Sequence, residues 1–304
     1  MVADIMKLHL CYFTLSFFLI NAAATALSLE TYGDSVTIGF NAGTFIPTDF
    51  DDAKRERREL IFYALFKRVP LLKHKAWQNF EEQHAPELAW PARVAERFAE
   101  RGERVQLLNR AVSGARVFNL ASQIVGPQNF QEKVLAFFFI GNNDLCEDKK
   151  QPPYHPQTFF NTYDQTLAIW DRAHVNATAY LIPMGDIPRI YRTLERQPWS
   201  EKRTGKILTC THVWRKFLPE CKYYTRLHEY GTLDQTITPL RNQLNSLLPI
   251  LADRRNQMSR RGNRYIYLAG TLDAPYTADD FAMDCFHLSA IGQDKLGDLI
   301  FSRI

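Results

Sequence analysis

The stretch Val134-Leu135-Ala136-Phe137-Phe138-Phe139-Ile140, followed at once by Gly141-Asn142-Asn143-Asp144, decides how the chain folds. An apolar run this short cannot cross a bilayer, and it lacks the alternation of a strand with one wet face. It reads as a strand covered on both sides, the kind found in parallel sheets sandwiched between helices. The switch to glycine and asparagine marks the strand's carboxyl end.

Outward from this run, strands alternate with helices. Further strands are expected at Leu29 to Tyr32, Val105 to Leu108, Ala177 to Ile182 and Arg264 to Leu268. Helices are expected at Lys54 to Arg68, Glu87 to Arg101 (stopping at Gly102), Val117 to Ile124 and Thr158 to His174. Two more follow, Asp234 to Met258 with a kink near Pro249, and Ser289 to Arg303. In the fourth helix Phe159, Tyr163, Leu167 and Trp170 recur at helical spacing, so one face is apolar. Such alternation predicts an α/β fold, a three-layer α/β/α sandwich around a mainly parallel sheet. No repeat or Pro/Gly-rich linker interrupts it, so residues 27–304 are expected to form one domain. Extra length falls at about 41–86 and 186–233. The second segment shows little periodicity but carries Trp199, Cys210, Trp214 and Cys221, and its aromatics are candidates for a pocket wall or lid.

Residues 1–26 read as a secretory signal peptide: Lys7, an apolar run from Leu8 to Ile20, then Ala22-Ala23-Ala24-Thr25-Ala26 with cleavage after Ala26. The expected location is secreted or periplasmic. With 304 residues, 46% apolar and 23% charged, the chain is no disordered tail, coiled coil or disulfide-stapled miniature. Its 37 basic and 33 acidic residues leave a net charge of only +4, and the basic residues are scattered. Nucleic acid is therefore not an expected partner, while transient contact with an anionic membrane surface stays compatible. No Cys or His spacing fits a metal site, and no cofactor is expected. Asn176-Ala177-Thr178 fits the N-glycosylation acceptor pattern.

Four short polar sequences lie at predicted strand ends, where an open parallel sheet collects its reactive groups. They are Tyr32-Gly33-Asp34-Ser35, Asn109 to Gly114, Gly141-Asn142-Asn143-Asp144 and Asp284-Cys285-Phe286-His287. Singly each is an ordinary turn or cap. Together and in this order the chain resembles the SGNH (GDSL) hydrolase family, with motifs nearest the secreted phospholipase B-like branch. The resemblance implies a nucleophilic Ser35, an Asp284 and His287 completing a triad, and an oxyanion hole from Ser35, Gly114 and Asn143. Val36 stands where the family usually has leucine. Asn142 stands beside Asn143 and competes for the oxyanion role. The serine is not in a G-x-S-x-G elbow, which argues against the α/β-hydrolase family.

These residue types suit acyl transfer. A serine hydroxyl needs an imidazole to take its proton, a carboxylate fixes that imidazole, and N–H donors stabilise the oxyanion. The resemblance thus implies a secreted carboxylic ester hydrolase acting on acyl esters, with lipids or phospholipids as the leading substrate class. A carbohydrate deacetylase or an acyltransferase would use the same triad, and a non-catalytic binding module would be expected to lack one of its members. With Cys11 in the leader, Cys146, Cys210, Cys221 and Cys285 remain, an even number that suggests disulfides. Of three connectivities, Cys210–Cys221, close in sequence, and Cys146–Cys285, joining two motif loops, are expected.

Overall fold

Strand β3 (Lys133–Phe139) lies in the middle of a five-stranded sheet, paired in parallel with β1 (Leu27–Gly33) and β4 (Thr178–Ile182). Outside these, β2 (Val105–Asn109) pairs with β1 and β7 (Arg264–Tyr267) with β4, again in parallel. The order β2-β1-β3-β4-β7 agrees with the α/β class read from the sequence. The computed structural model describes residues 27–40, 42–43, 85–124, 133–146, 155–201, 206–217, 221–271, 274–282 and 284–304. The expected signal peptide and the expected helix at Lys54 to Arg68 lie outside the described residues.

Alternation along β3 sends successive phenylalanines to opposite faces. Phe137 meets Trp90 of α1 (Trp90–Glu100) edge-on, ring centroids 5.8 Å apart, and stacks on Tyr180 of β4. Phe138 points the other way, onto Tyr32 of β1 and onto Tyr163 and Trp170 of α3 (Pro156–Ala173). Both faces are thus aromatic, which is why the run shows no wet side. The first face is completed by α8 (Ala290–Phe301) against α1, the second by α7 (Leu233–Met258) against α3.

One carboxylate sits inside this core. Glu30 of β1 accepts a hydrogen bond from the Tyr32 hydroxyl at 2.5 Å and lies 3.1 Å from His174 Nε2 at the end of α3. Burial raises its pKa, but the His174 and Tyr32 contacts outweigh that and hold it below the usual carboxylate range.

Two elements differ from expectation. The expected helix at Val117 to Ile124 is a 3-10 turn at Val117–Asn119 followed by one turn of α-helix, α2 (Leu120–Gln123). The segment 186–233 is structured rather than a bare loop. It holds α4 (Ile187–Leu194), a hairpin of β5 (Pro198–Glu201) and β6 (Lys206–Thr209), α5 (Cys210–Phe217) and α6 (Lys222–Glu229). Each helix spans about two turns, too few to show a period. No helix among the described residues is long and apolar enough to cross a membrane.

Phe138→Ala should cost about 3–5 kcal/mol, since it removes a fully buried ring from a packed interior. A urea midpoint unchanged from the parent would contradict this account of the core.

Candidate active site

Strand β1 ends at Gly33, and a Cβ there would lie 2.4 Å from the Phe139 carbonyl oxygen and 2.5 Å from Thr37 Oγ1. Only glycine fits so close a strand end. Gln123 of α2 grips it from the side, accepting from Gly33 N–H and donating to Gly33 C=O, both at 2.9 Å. Beyond Gly33 the chain coils back. Thr37 and Ile38 N–H donate to the Asp34 carbonyl, and Phe40 N–H donates to that of Ser35. Gln293 of α8 donates to the Val36 carbonyl and accepts from Trp90 N–H, tying this turn to both helices of the first face. The sequence gives no hint of the roles of Gln123 or Gln293, because each acts across a long separation.

The turn presents Ser35 to the loop before α8. Ser35 Oγ is 2.8 Å from His287 Nε2, and His287 Nδ1 is 2.6 Å from Asp284 Oδ2. The other oxygen of Asp284 accepts from the Phe286 and His287 backbone N–H groups, both at 2.9 Å, so the carboxylate cannot swing. His287 C=O accepts from Ala282 N–H, and Phe281 and Leu288 form an antiparallel bridge that pinches the loop. All three side chains are buried, and the imidazole packs between the rings of Phe40 and Phe286. The arrangement can move a proton from serine to histidine while the carboxylate stabilises the resulting imidazolium.

The other two motif loops converge on the same place. Val112 N–H donates to the Gly33 carbonyl, holding the turn that contains Gly114 beside the serine. Gly114 has φ +75°, a conformation that disfavours any residue with a Cβ. Asn143 Nδ2 donates to the Ala115 carbonyl at 3.0 Å. Asn142 is occupied differently: its Oδ1 accepts from Gly185 N–H and its carbonyl from the Tyr224 hydroxyl at 2.6 Å.

A family model described as GDSL-like Lipase/Acylhydrolase matches residues 29–300. The chain belongs to that family. No curated protein matches it in sequence. Among solved structures it is similar to TesA (10% identity, 91% of this chain and 97% of the other, TM-score 0.47). It is also similar to a lipase/acylhydrolase from Enterococcus faecalis (14%, 90% and 93%, 0.44) and to a Clostridium thermocellum family 3 carbohydrate esterase (12%, 91% and 94%, 0.48).

In this family member the cysteines pair otherwise than expected. The disulfides are Cys146–Cys221 and Cys210–Cys285, with Cα–Cα distances of 5.9 and 5.6 Å, and not Cys210–Cys221 with Cys146–Cys285. Closing a loop of 75 residues rather than the 11 between Cys210 and Cys221 costs only about 2 kcal/mol more. Folded geometry overrides that: Cys221, just before α6, faces the β3 loop, while Cys210, opening α5, faces the histidine loop. Both loops are braced, but against the 186–233 segment rather than against each other. Trp214 of α5 joins in by donating its indole N–H to the Cys285 carbonyl. It is buried and braces the loop rather than walling the pocket. Cys285 itself holds φ +57°, a left-handed conformation unusual for a residue with a side chain.

Two buried carboxyls lie behind the site. Burial raises the pKa of Asp34 to about 6, against the pull of the Val36 N–H and His287. Burial raises Asp144 to about 7, partly offset by the Val117 N–H and Arg116 and reinforced by Asp34. The fold therefore favours their protonated forms. Their contribution to stability is complete below the ordinary carboxylate pKa and is lost as pH rises through 6 to 7.

Non-reducing peptide maps should contain Cys146–Cys221 and Cys210–Cys285, and a Cys210–Cys221 fragment would refute the pairing. Asp144→Asn should flatten the fall in urea midpoint between pH 5 and pH 8, whereas a slope equal to the parent's would contradict the buried-acid assignment.

Proposed function

We propose that the protein is a secreted serine esterase that cleaves acyl esters of lipids through a Ser35–His287–Asp284 triad. The observation that carries this reading is the unbroken chain of short contacts from Ser35 through His287 to Asp284, at the base of an apolar cleft. His287 removes the Ser35 proton as Oγ attacks the ester carbonyl, then returns it to the leaving alcohol. Water, activated by the same imidazole, hydrolyses the acyl-enzyme.

In the tetrahedral intermediate the oxyanion is met by the backbone N–H groups of Ser35 and Gly114 and by the Asn143 amide. One Asn143 Nδ2 hydrogen is spent on Ala115, which fixes the amide and leaves the other for the oxyanion. Asn142, whose oxygen is held by Gly185, serves as scaffold in this reading.

The lipid assignment is supported by the cleft, which holds about 90 Å³ between Ile187, Ile190, Tyr191, Phe281, Phe286 and Leu288. Such a lining desolvates hydrocarbon and offers a sugar few partners. Val112 and Phe118, 52% and 43% exposed beside the Gly114 turn, suit transient contact with a lipid surface. Residues 1–26 act as the export signal in this reading, with Leu27 as the first mature residue, and the two disulfides suit an oxidising compartment.

Ser35→Ala should lower ester cleavage by about 10⁴-fold or more while leaving the urea midpoint near the parent's. A fluorophosphonate probe should label Ser35 alone, and labelling elsewhere would refute the triad. A panel of acyl esters should favour long acyl chains on glycerol over acetylated xylan or peptidoglycan. Activity confined to the glycans would overturn the lipid assignment.

A further inference from the structure

The peptide between Asn142 and Asn143 leads directly to the proposed oxyanion donor, and it is held from outside its own loop. The Tyr224 hydroxyl, in α6, donates to the Asn142 carbonyl at 2.6 Å. Tyr224 is fully buried and lines the catalytic cleft. Burial, reinforced by Tyr191 and Asp144, holds its pKa well above the usual tyrosine value, so the hydroxyl keeps the proton that it donates. The same ring stacks on Phe286, beside His287, with centroids 6.4 Å apart. One side chain thus touches the loops that carry Asn143 and His287. Three residues before Tyr224, Cys221 bonds to Cys146, itself three residues after Asn143, so the start of α6 grips this loop at two points. Thr225, next in α6, lies 3.2 Å from the Tyr191 hydroxyl and ties the helix to α4.

A peptide unit is planar, so a donor that fixes the direction of the Asn142 carbonyl also fixes the bond leading to the Asn143 Cα. From there the Asn143 amide is oriented by its bond to the Ala115 carbonyl at 3.0 Å. Tyr224 therefore holds Asn143 from the backbone and Ala115 holds it from the side chain. An oxyanion donor is effective when it is aimed in advance at charge that develops in the transition state. We propose that Tyr224 is a positioning residue for the oxyanion hole: its hydroxyl holds the Asn142–Asn143 peptide so that the Asn143 amide meets the oxyanion. Through this bond the 186–233 segment acts on the rate of the chemical step without contributing a reacting group. This rests on the esterase reading of the site and adds to it a residue outside the four motif loops.

The test compares Tyr224→Phe, which removes the hydroxyl and keeps the ring on Phe286, with Asn143→Ala and with the double variant. Cleavage of p-nitrophenyl butanoate is followed, with kcat counted per Ser35 labelled to completion by a fluorophosphonate probe, so that misfolded molecules do not enter. Tyr224→Phe should lower kcat about ten- to thirtyfold and leave KM within about twofold of the parent's, because the donor matters in the transition state and not in the bound ester. Asn143→Ala should cost about a hundredfold or more. In that background Tyr224→Phe should cost less than about twofold further, since the group it positions is gone. An unchanged kcat in Tyr224→Phe, a change confined to KM, or losses that multiply in the double variant overturns the inference. Any of these beside an inactive Ser35→Ala leaves the esterase reading standing. Cleavage that persists in Ser35→Ala defeats that reading, and this inference with it.

Discussion

Gly33 sits so near the Phe139 carbonyl that no larger residue could end β1 in that register. This contact levels the ends of the two central strands at the point where the sheet order reverses, β2 to one side of β1 and β3 to the other. Loops that leave neighbouring strands in opposite directions open a crevice there. Ser35 enters it from β1, the Gly114 turn from β2 and Asn143 from β3. His287 then needs only the short pinched loop ahead of α8 to reach the same spot. A bulkier side chain at position 33 would separate these groups without touching any of them.

Where local pattern and tertiary environment agree, the sequence is readable. The β3 run is uniformly apolar because Phe137 and Phe138 both have aromatic partners, on opposite faces. The four motif loops stand out because backbone turning and chemistry demand small and polar residues together. Where environment alone decides, nothing local betrays the outcome. Glu30 looks like any strand residue facing water, yet it is buried against His174. Gln123 and Gln293 resemble ordinary helix residues.

The 186–233 segment shows the same limit on a larger scale. Helices of two turns, held by tertiary contacts more than by their own propensity, leave almost no periodic trace. Yet this segment supplies the Tyr224 hydroxyl under Asn142, the Trp214 indole under Cys285 and the cleft wall from α4. It is less an appendage than the far half of the site, clamped onto the strand-end loops so that its aromatic side chains hold the backbone of both.

The crossed connectivity of those clamps has a consequence for how the protein is made. A chain emerging from its amino end exposes Cys146, Cys210 and Cys221 before Cys285 exists, and the nearest pair then available is Cys210–Cys221. That pairing occupies one partner of each native bond at once. It would leave Cys146 and Cys285 as free thiols in the two loops that carry Asn143 and His287. A chain that formed this pair first could close both native bonds only after thiol–disulfide exchange.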